Sequence, residues 1–150
     1  MTLSLAPNDL MGITFRLSMA LLVGAIVGLE RQIRHKPAGL RTHMLVSFGA
    51  ALFVLIPLQI STAQEGRDAI SRVIQGVAAG IGFLGAGEIL HESHESSNLA
   101  QVRGLTSAAA IWVCAALGVA AGCGLWQMGL IGAVLSLVVL SVFKKFEKRH

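Results

Sequence analysis

Charge is scarce in this chain. Aspartate, glutamate, lysine and arginine make up 13% of its 150 residues, against roughly 25% in soluble domains, and the mean hydropathy is +0.70. That balance excludes a soluble globular fold. Proline is limited to three residues beside 17 glycines, a ratio that argues against disorder and for closely packed helices. Cysteine is limited to Cys114 and Cys123, within or at the edge of one apolar segment, with no CxxC or Cys/His spacing around them. Both read as small buried packing residues rather than a disulfide or metal pair. No Ser/His/Asp or Cys/His constellation supplies a nucleophile. The chain is expected to be no enzyme and to need no cofactor.

Apolar runs are what the sequence has in abundance. A helix needs about 20 mostly apolar residues to cross roughly 30 Å of hydrocarbon. Five stretches qualify or nearly do: 10–29, 42–60, 71–90, 105–122 and 126–143. The expected fold class is all-α, a single transmembrane domain over residues 1–150 built as a bundle of about five helices. A tight turn near Gly122 to Gly124 makes the fourth and fifth helices antiparallel neighbours. Arg16 ahead of a short apolar run imitates a signal peptide, but no small-residue cleavage pattern follows, and Glu30 and Arg31 come next.

The net charge of +4 would suit nucleic acid if it were gathered on a solvated face. Its placement points to a lipid bilayer instead. Arg31, Arg34, Lys36, Arg41, Arg103, Lys144, Lys145, Lys148 and Arg149 fall on one side of a five-helix topology, with Arg67 and Arg72 opposite. Because short loops rich in Lys and Arg stay in the cytoplasm, the N-terminus is expected outside and the C-terminus in the cytoplasm.

Three GxxxG pairs lie inside apolar runs: Gly24/Gly28, Gly76/Gly80 and Gly118/Gly122. Missing side chains let helix backbones approach, so each pair serves packing within one chain or self-association. Gly80, Gly82 and Gly85 also spell GxGxxG, but without the strand, turn and acidic partner of a dinucleotide site.

Arg16 stands about six residues inside the first helix, where an unpaired cation costs at least about 2.5 kcal/mol. On a helical wheel Ala20, Val23, Val27 and Glu30 fall within about 40° of it, so this face is expected to point into the bundle. Arg72 stands similarly at the outer end of the third helix, above Gly76, Ala79 and Phe83. Both guanidinium groups either pair inside or snorkel to headgroups.

At the opposite ends, Glu30, Arg31, Arg41 and Glu88 are expected to form a partly buried cluster between helices one, two and three. It would either lock the helices or bind a cation through its carboxylates, although two glutamates are few for Mg²⁺. HESHE, from His91 to Glu95, misses the zincin HExxH spacing. It would hold a metal only if Glu88 or His43 joined it, and it reads as a solvated loop. No metal site is expected.

Three blocks resemble one family. GLERQIRHKPAGLRTHMLVSFGAALF from Gly28 to Phe53, SRVIQGVAAGIGFLGAGEIL from Ser71 to Leu90, and GLTSAAAIWVCAALGVAAG from Gly104 to Gly122 resemble the MgtC/SapB family of bacterial inner-membrane proteins, in order and over nearly the whole chain. The resemblance implies a multi-pass protein of the bacterial plasma membrane tied to adaptation to low Mg²⁺ and, in some members, to survival in host cells. It also implies restraint of the ATP synthase through contacts with that enzyme's membrane sector. By position it points to Glu30, Arg31, Gly39, Arg41 and Thr42 in the first loop, to Arg72, Gln75, Gly82, Gly85 and Gly87 on the third helix, and to Gly104, Thr106 and Trp112 on the fourth. Many relatives continue into a soluble domain, whereas this sequence ends in KKFEKRH.

The function expected is a non-enzymatic modulator of Mg²⁺ and ion homeostasis that contacts other membrane proteins, ATP synthase among them, or copies of itself. The alternative is a small Mg²⁺ or other cation transporter.

Overall fold

The structure, a computed structural model, describes residues 9–60, 63–94 and 103–143. Five α-helices account for nearly all of them: α1 (Leu10–Ile33), α2 (Leu40–Ile60), α3 (Ala63–His94), α4 (Leu105–Gly122) and α5 (Trp126–Val138), the last continued by a π-helical turn, Val139–Phe143. There is no strand among the described residues. Four of the helices contain apolar spans long enough to cross a bilayer, namely Leu10–Ile33, Leu40–Ile60, Glu65–Leu90 and Leu105–Gly122, and Trp126–Val142 is a shorter apolar stretch.

The helices overrun the apolar runs wherever flanking residues can continue the backbone. α1 starts at an Asp9 cap, whose carboxylate accepts from the Gly12 N–H at 2.9 Å. It runs past residue 29 to Ile33 because Glu30 and Arg34 pair at i,i+4 on the same face. It stops where His35 takes a left-handed φ of 52°, the position a helix C-terminus commonly gives to glycine, with Pro37 just beyond. α3 covers 32 residues rather than 71–90, about 48 Å of helix, so its polar ends project beyond a 30 Å hydrocarbon layer.

α2 is the central helix, and glycines let two others close on it. A Cβ added to Gly24 would lie 2.7 Å from the His43 carbonyl oxygen, and one added to Gly28 would lie 2.8 Å from the Leu40 Cα. On the other side of α2, Gly118 of α4 presses on the Ser47 backbone, and a Cβ at Gly122 would meet the Ala51 oxygen at 2.9 Å. Two of the three GxxxG pairs are thus used inside the chain. The interior they create is made of small side chains, with Val23, Val27, Cys114 and Ala133 at its centre and Ala20, Ala51 and Ala121 nearer the α4–α5 turn. Packing of this kind works through dispersion contacts, since lipid is as apolar as the protein interior.

α3 stands apart. Only 6% of its apolar window is buried, against 56% for α4, and its close contact is Gly85 on Ala108. Gly76, Gly80, Gly82 and Gly87 have nothing within 4 Å of an added Cβ.

Candidate functional site

The polar residues buried in this apolar bundle gather where α1, α2 and α4 meet, at the end carrying the α1–α2 turn. Arg31 is 3% exposed and Glu30 is 8% exposed. The Arg31 Nη2 donates to the Ser107 hydroxyl of α4 at 2.9 Å, and its Nη1 lies 3.7 Å from Glu30 Oε2. Arg34 pairs through Nε with the other Glu30 oxygen. One carboxylate therefore faces two guanidinium groups, leaving a net positive trio.

His43 lies directly behind this trio and is fully buried. Its Nδ1 is 2.8 Å from the Gly39 carbonyl; a carbonyl only accepts, so Nδ1 carries a proton, and Nε2 has no hydrogen-bond partner. The carbonyl of His43 in turn accepts from the Cys114 thiol at 3.4 Å. Several buried atoms here lack an aligned hydrogen bond: both Glu30 oxygens, Arg31 Nε, His43 Nε2 and Ser47 Oγ. Each such group costs about 1–3 kcal/mol. The charges of Glu30 are balanced even so, because Coulombic pairing tolerates angles that hydrogen bonds do not.

This arrangement suits a lock better than a divalent-cation site. Mg²⁺ requires near-octahedral oxygen ligands, whereas the Glu30 carboxylate has a guanidinium on either side. Among the described residues no group of three or more His, Cys, Asp or Glu side chains converges.

Arg41 and Thr42, expected beside Glu30, are exposed at the start of α2. Glu88 lies on α3, half-buried, with Oε1 closed off from solvent and without a hydrogen bond. The buried partner of Arg31 is Ser107 of α4 instead. Ser107, His43 and Ser47 were the residues sequence reasoning underused; each is a polar residue within an apolar helix, and His43 and Ser47 share a face at i,i+4 spacing. The side chains of His91, Glu92 and His94 lie outside the described residues, as do Glu95, Lys144, Lys145, Lys148 and Arg149.

A second polar point lies at the other end of the bundle. Arg16 points inward, and its Nη1 donates to the Gly122 carbonyl at 2.9 Å. Its guanidinium lies against Gly124, whose φ of 80° and lack of a side chain leave room for it; a Cβ there would be 3.0 Å from Arg16 Cζ. The cation thus caps the carbonyl end of α4, where the helix dipole favours positive charge. Beside it in the turn, burial pushes the Cys123 thiol pKa up, and the Arg16 charge pulls it partly back. Arg72 and Gln75 are exposed on α3 and take no part in this layer.

The MgtC family pattern matches residues 17–149. Protein SrpB of Synechococcus elongatus is 50% identical over 148 residues, covering 96% of this chain and 81% of that protein. The putative magnesium transporter YhiD of Escherichia coli K12 is 40% identical over 139 residues, 89% of this chain and 61% of YhiD. Protein MgtC of Salmonella typhimurium is 38% identical over 130 residues, 87% of this chain and 52% of its own length. The chain therefore spans about half to four fifths of these relatives. No solved structure matches it. With nearly the whole sequence matched, from Leu17 in α1 to Arg149, the chain belongs to the MgtC family.

Proposed function

We propose that the chain is a non-catalytic module of the bacterial plasma membrane that modulates Mg²⁺ and ion homeostasis by contacting other membrane proteins along α3. The observation that carries this reading is the different use of three identical motifs. Gly24/Gly28 and Gly118/Gly122 are filled by α2, whereas Gly76/Gly80 face open space. Between α3 and α2 lies an apolar groove of about 590 Å³ lined by Leu45, Gly49, Phe53, Gly76, Gly80 and Leu84, among others. Backbone that is both open and glycine-lined suits an incoming transmembrane helix, because association in lipid depends on close approach. The family resemblance makes the ATP synthase membrane sector the first partner to test. The orientation, N-terminus outside and C-terminus cytoplasmic, belongs to the same proposal.

The test is a photo-crosslinking residue at Gly80 in cells held at low Mg²⁺, with a Gly76→Leu/Gly80→Leu variant as control. A specific membrane-protein adduct, lost together with low-Mg²⁺ growth in the double variant while the protein still accumulates, supports the reading. Normal growth of the double variant would remove it.

The likeness to YhiD, a putative magnesium transporter, favours a second reading, a Mg²⁺ transporter. Arg31 at 3.7 Å from the Glu30 carboxylate argues against a cation at that point. Mg²⁺ flux into proteoliposomes, abolished by Glu30→Gln, would favour transport; absence of flux leaves the contact reading.

A further inference from the structure

We infer that a second copy of this chain seats on the outward face of α3, the side turned away from both the α2–α3 groove and α4. On a helical wheel of about 100° per residue centred on Ala79, Gly80 of the groove lies about 100° to one side, and Gly85, which meets Ala108, about 120° to the other. Between them Asp68, Arg72, Gln75, Ala79, Gly82 and Ala86 fall within about 60° of the centre, and all six are exposed. This face is distinct from the groove in which a partner helix is proposed to dock.

The spacing along it is that of a helix pair. Steps of four, three, four, three and four residues keep one seam facing a parallel partner, each side chain seated among four residues of the other helix. Ala79, Gly82 and Ala86 are small, so two backbones can approach closely, as association in lipid requires. Asp68, Arg72 and Gln75 are polar, which suits no face covered by acyl chains. None of the three makes an ion pair or a side-chain hydrogen bond among the described residues. Gln75 lies four residues inside the apolar run 71–90, about 6 Å of helix. It lacks the reach with which arginine returns its charge to headgroups, and an amide in hydrocarbon without a partner is costly.

The polar part complements itself, and that selects a second copy over another helix. Asp68 and Arg72 stand one turn apart. In a parallel pair about a two-fold axis, Asp68 of each copy packs against Arg72 of the other, so both charges are matched twice. The Gln75 amides meet near the axis, where each offers donors and an acceptor to the other. A helix carrying one sign of charge would satisfy one of the two ionic residues and repel its neighbour.

Donor- and acceptor-labelled chains are diluted in dioleoyl phosphatidylcholine vesicles and followed by energy transfer. The unaltered chain is expected to self-associate. Asp68→Arg leaves only arginine at the two ionic positions and Arg72→Asp only aspartate. Each variant alone should therefore associate at least about tenfold more weakly, because like charges are juxtaposed. Mixing the two variants opposes aspartate to arginine again, and Asp68→Arg/Arg72→Asp does so within one chain; both should restore the original transfer. Gln75→Leu should weaken the pair about threefold, the usual worth of one interhelical hydrogen bond. Gly49→Leu, which intrudes on the groove alone, should leave transfer unchanged. Absence of transfer by the unaltered chain, single variants that associate as well as it does, or mixed variants that stay apart would each overturn the proposal. Loss of transfer in Gly49→Leu would overturn it in favour of a contact through the groove.

Discussion

Arg31 carries its charge into the junction of three helices, and the surrounding residues determine what its removal costs. Breaking a buried ion pair from one side destabilises by about 3–5 kcal/mol, because Glu30 would lose one of its two cationic neighbours. Arg31→Met is therefore expected to lower the melting temperature in detergent more than Ser107→Ala, which removes one hydrogen bond to a charged group, about 1.5–3 kcal/mol. A Ser107→Ala variant melting below Arg31→Met would mean that the pair with Glu30 adds little and that a buried guanidinium left without its hydroxyl acceptor costs more than a missing one. At the opposite end, Cys123 offers a pH readout. Its thiol pKa is raised mainly by burial, so the stability it contributes is complete below the ordinary cysteine pKa, about 8.5, and is lost as pH rises through the higher folded value. Maleimide labelling should follow the same curve, slow near neutral pH and still climbing beyond about pH 9. Cys114 is fully buried in the core, so the label reports Cys123. A labelling rate already at its plateau at neutral pH would contradict the burial.

Helices, more than single residues, decide what a glycine does here. Gly118→Ala would drive a methyl group into the Ser47 backbone, and Gly24→Ala would place one 2.7 Å from the His43 oxygen. Neither neighbour is a flexible side-chain tip, so each change should destabilise by about 1–3 kcal/mol through overpacking. Gly76→Ala meets nothing, and the higher helix propensity of alanine should leave stability unchanged or raise it by up to about 1 kcal/mol. Thermal unfolding of the three variants should therefore show opposite signs for motifs that look identical in the sequence. That contrast marks what was legible beforehand. The five helices could be read from apolar length, and the inward turn of Arg16 from the high cost of a lone cation in lipid. Which glycine pairs meet a neighbour could not be read, because GxxxG states only that a backbone is bare. The role of Ser107 was hidden for a related reason: a hydroxyl in an apolar helix gives no sign of which helix faces it, and the partner of Arg31 came from α4 rather than α3.

At the scale of the whole molecule the chain divides into four helices that share an interior and a fifth, α3, packed on their outside against α4 and α2. α1, α2, α4 and α5 share one interior of small side chains, fastened at one end by Arg31 on Ser107 and at the other by Arg16 on Gly122. α3 contributes little to that interior, and an element with few buried contacts opens at lower free energy than its neighbours. Hydrogen exchange in detergent should accordingly rank α2 and α4 as slowest, with α3 around Gly76 to Gly82 exchanging ahead of them. The ranking bears on function because a partner helix seated between α3 and α2 would close a groove of about 590 Å³ and shield the same amides. Addition of a captured partner should then slow exchange in α3 and along the Leu45 to Phe53 side of α2, while α4, already enclosed, stays unchanged. Uniform slowing of all five helices would indicate general stabilisation without docking. Protection confined to the Glu30 end would place the contact at the charged trio, away from the open glycines.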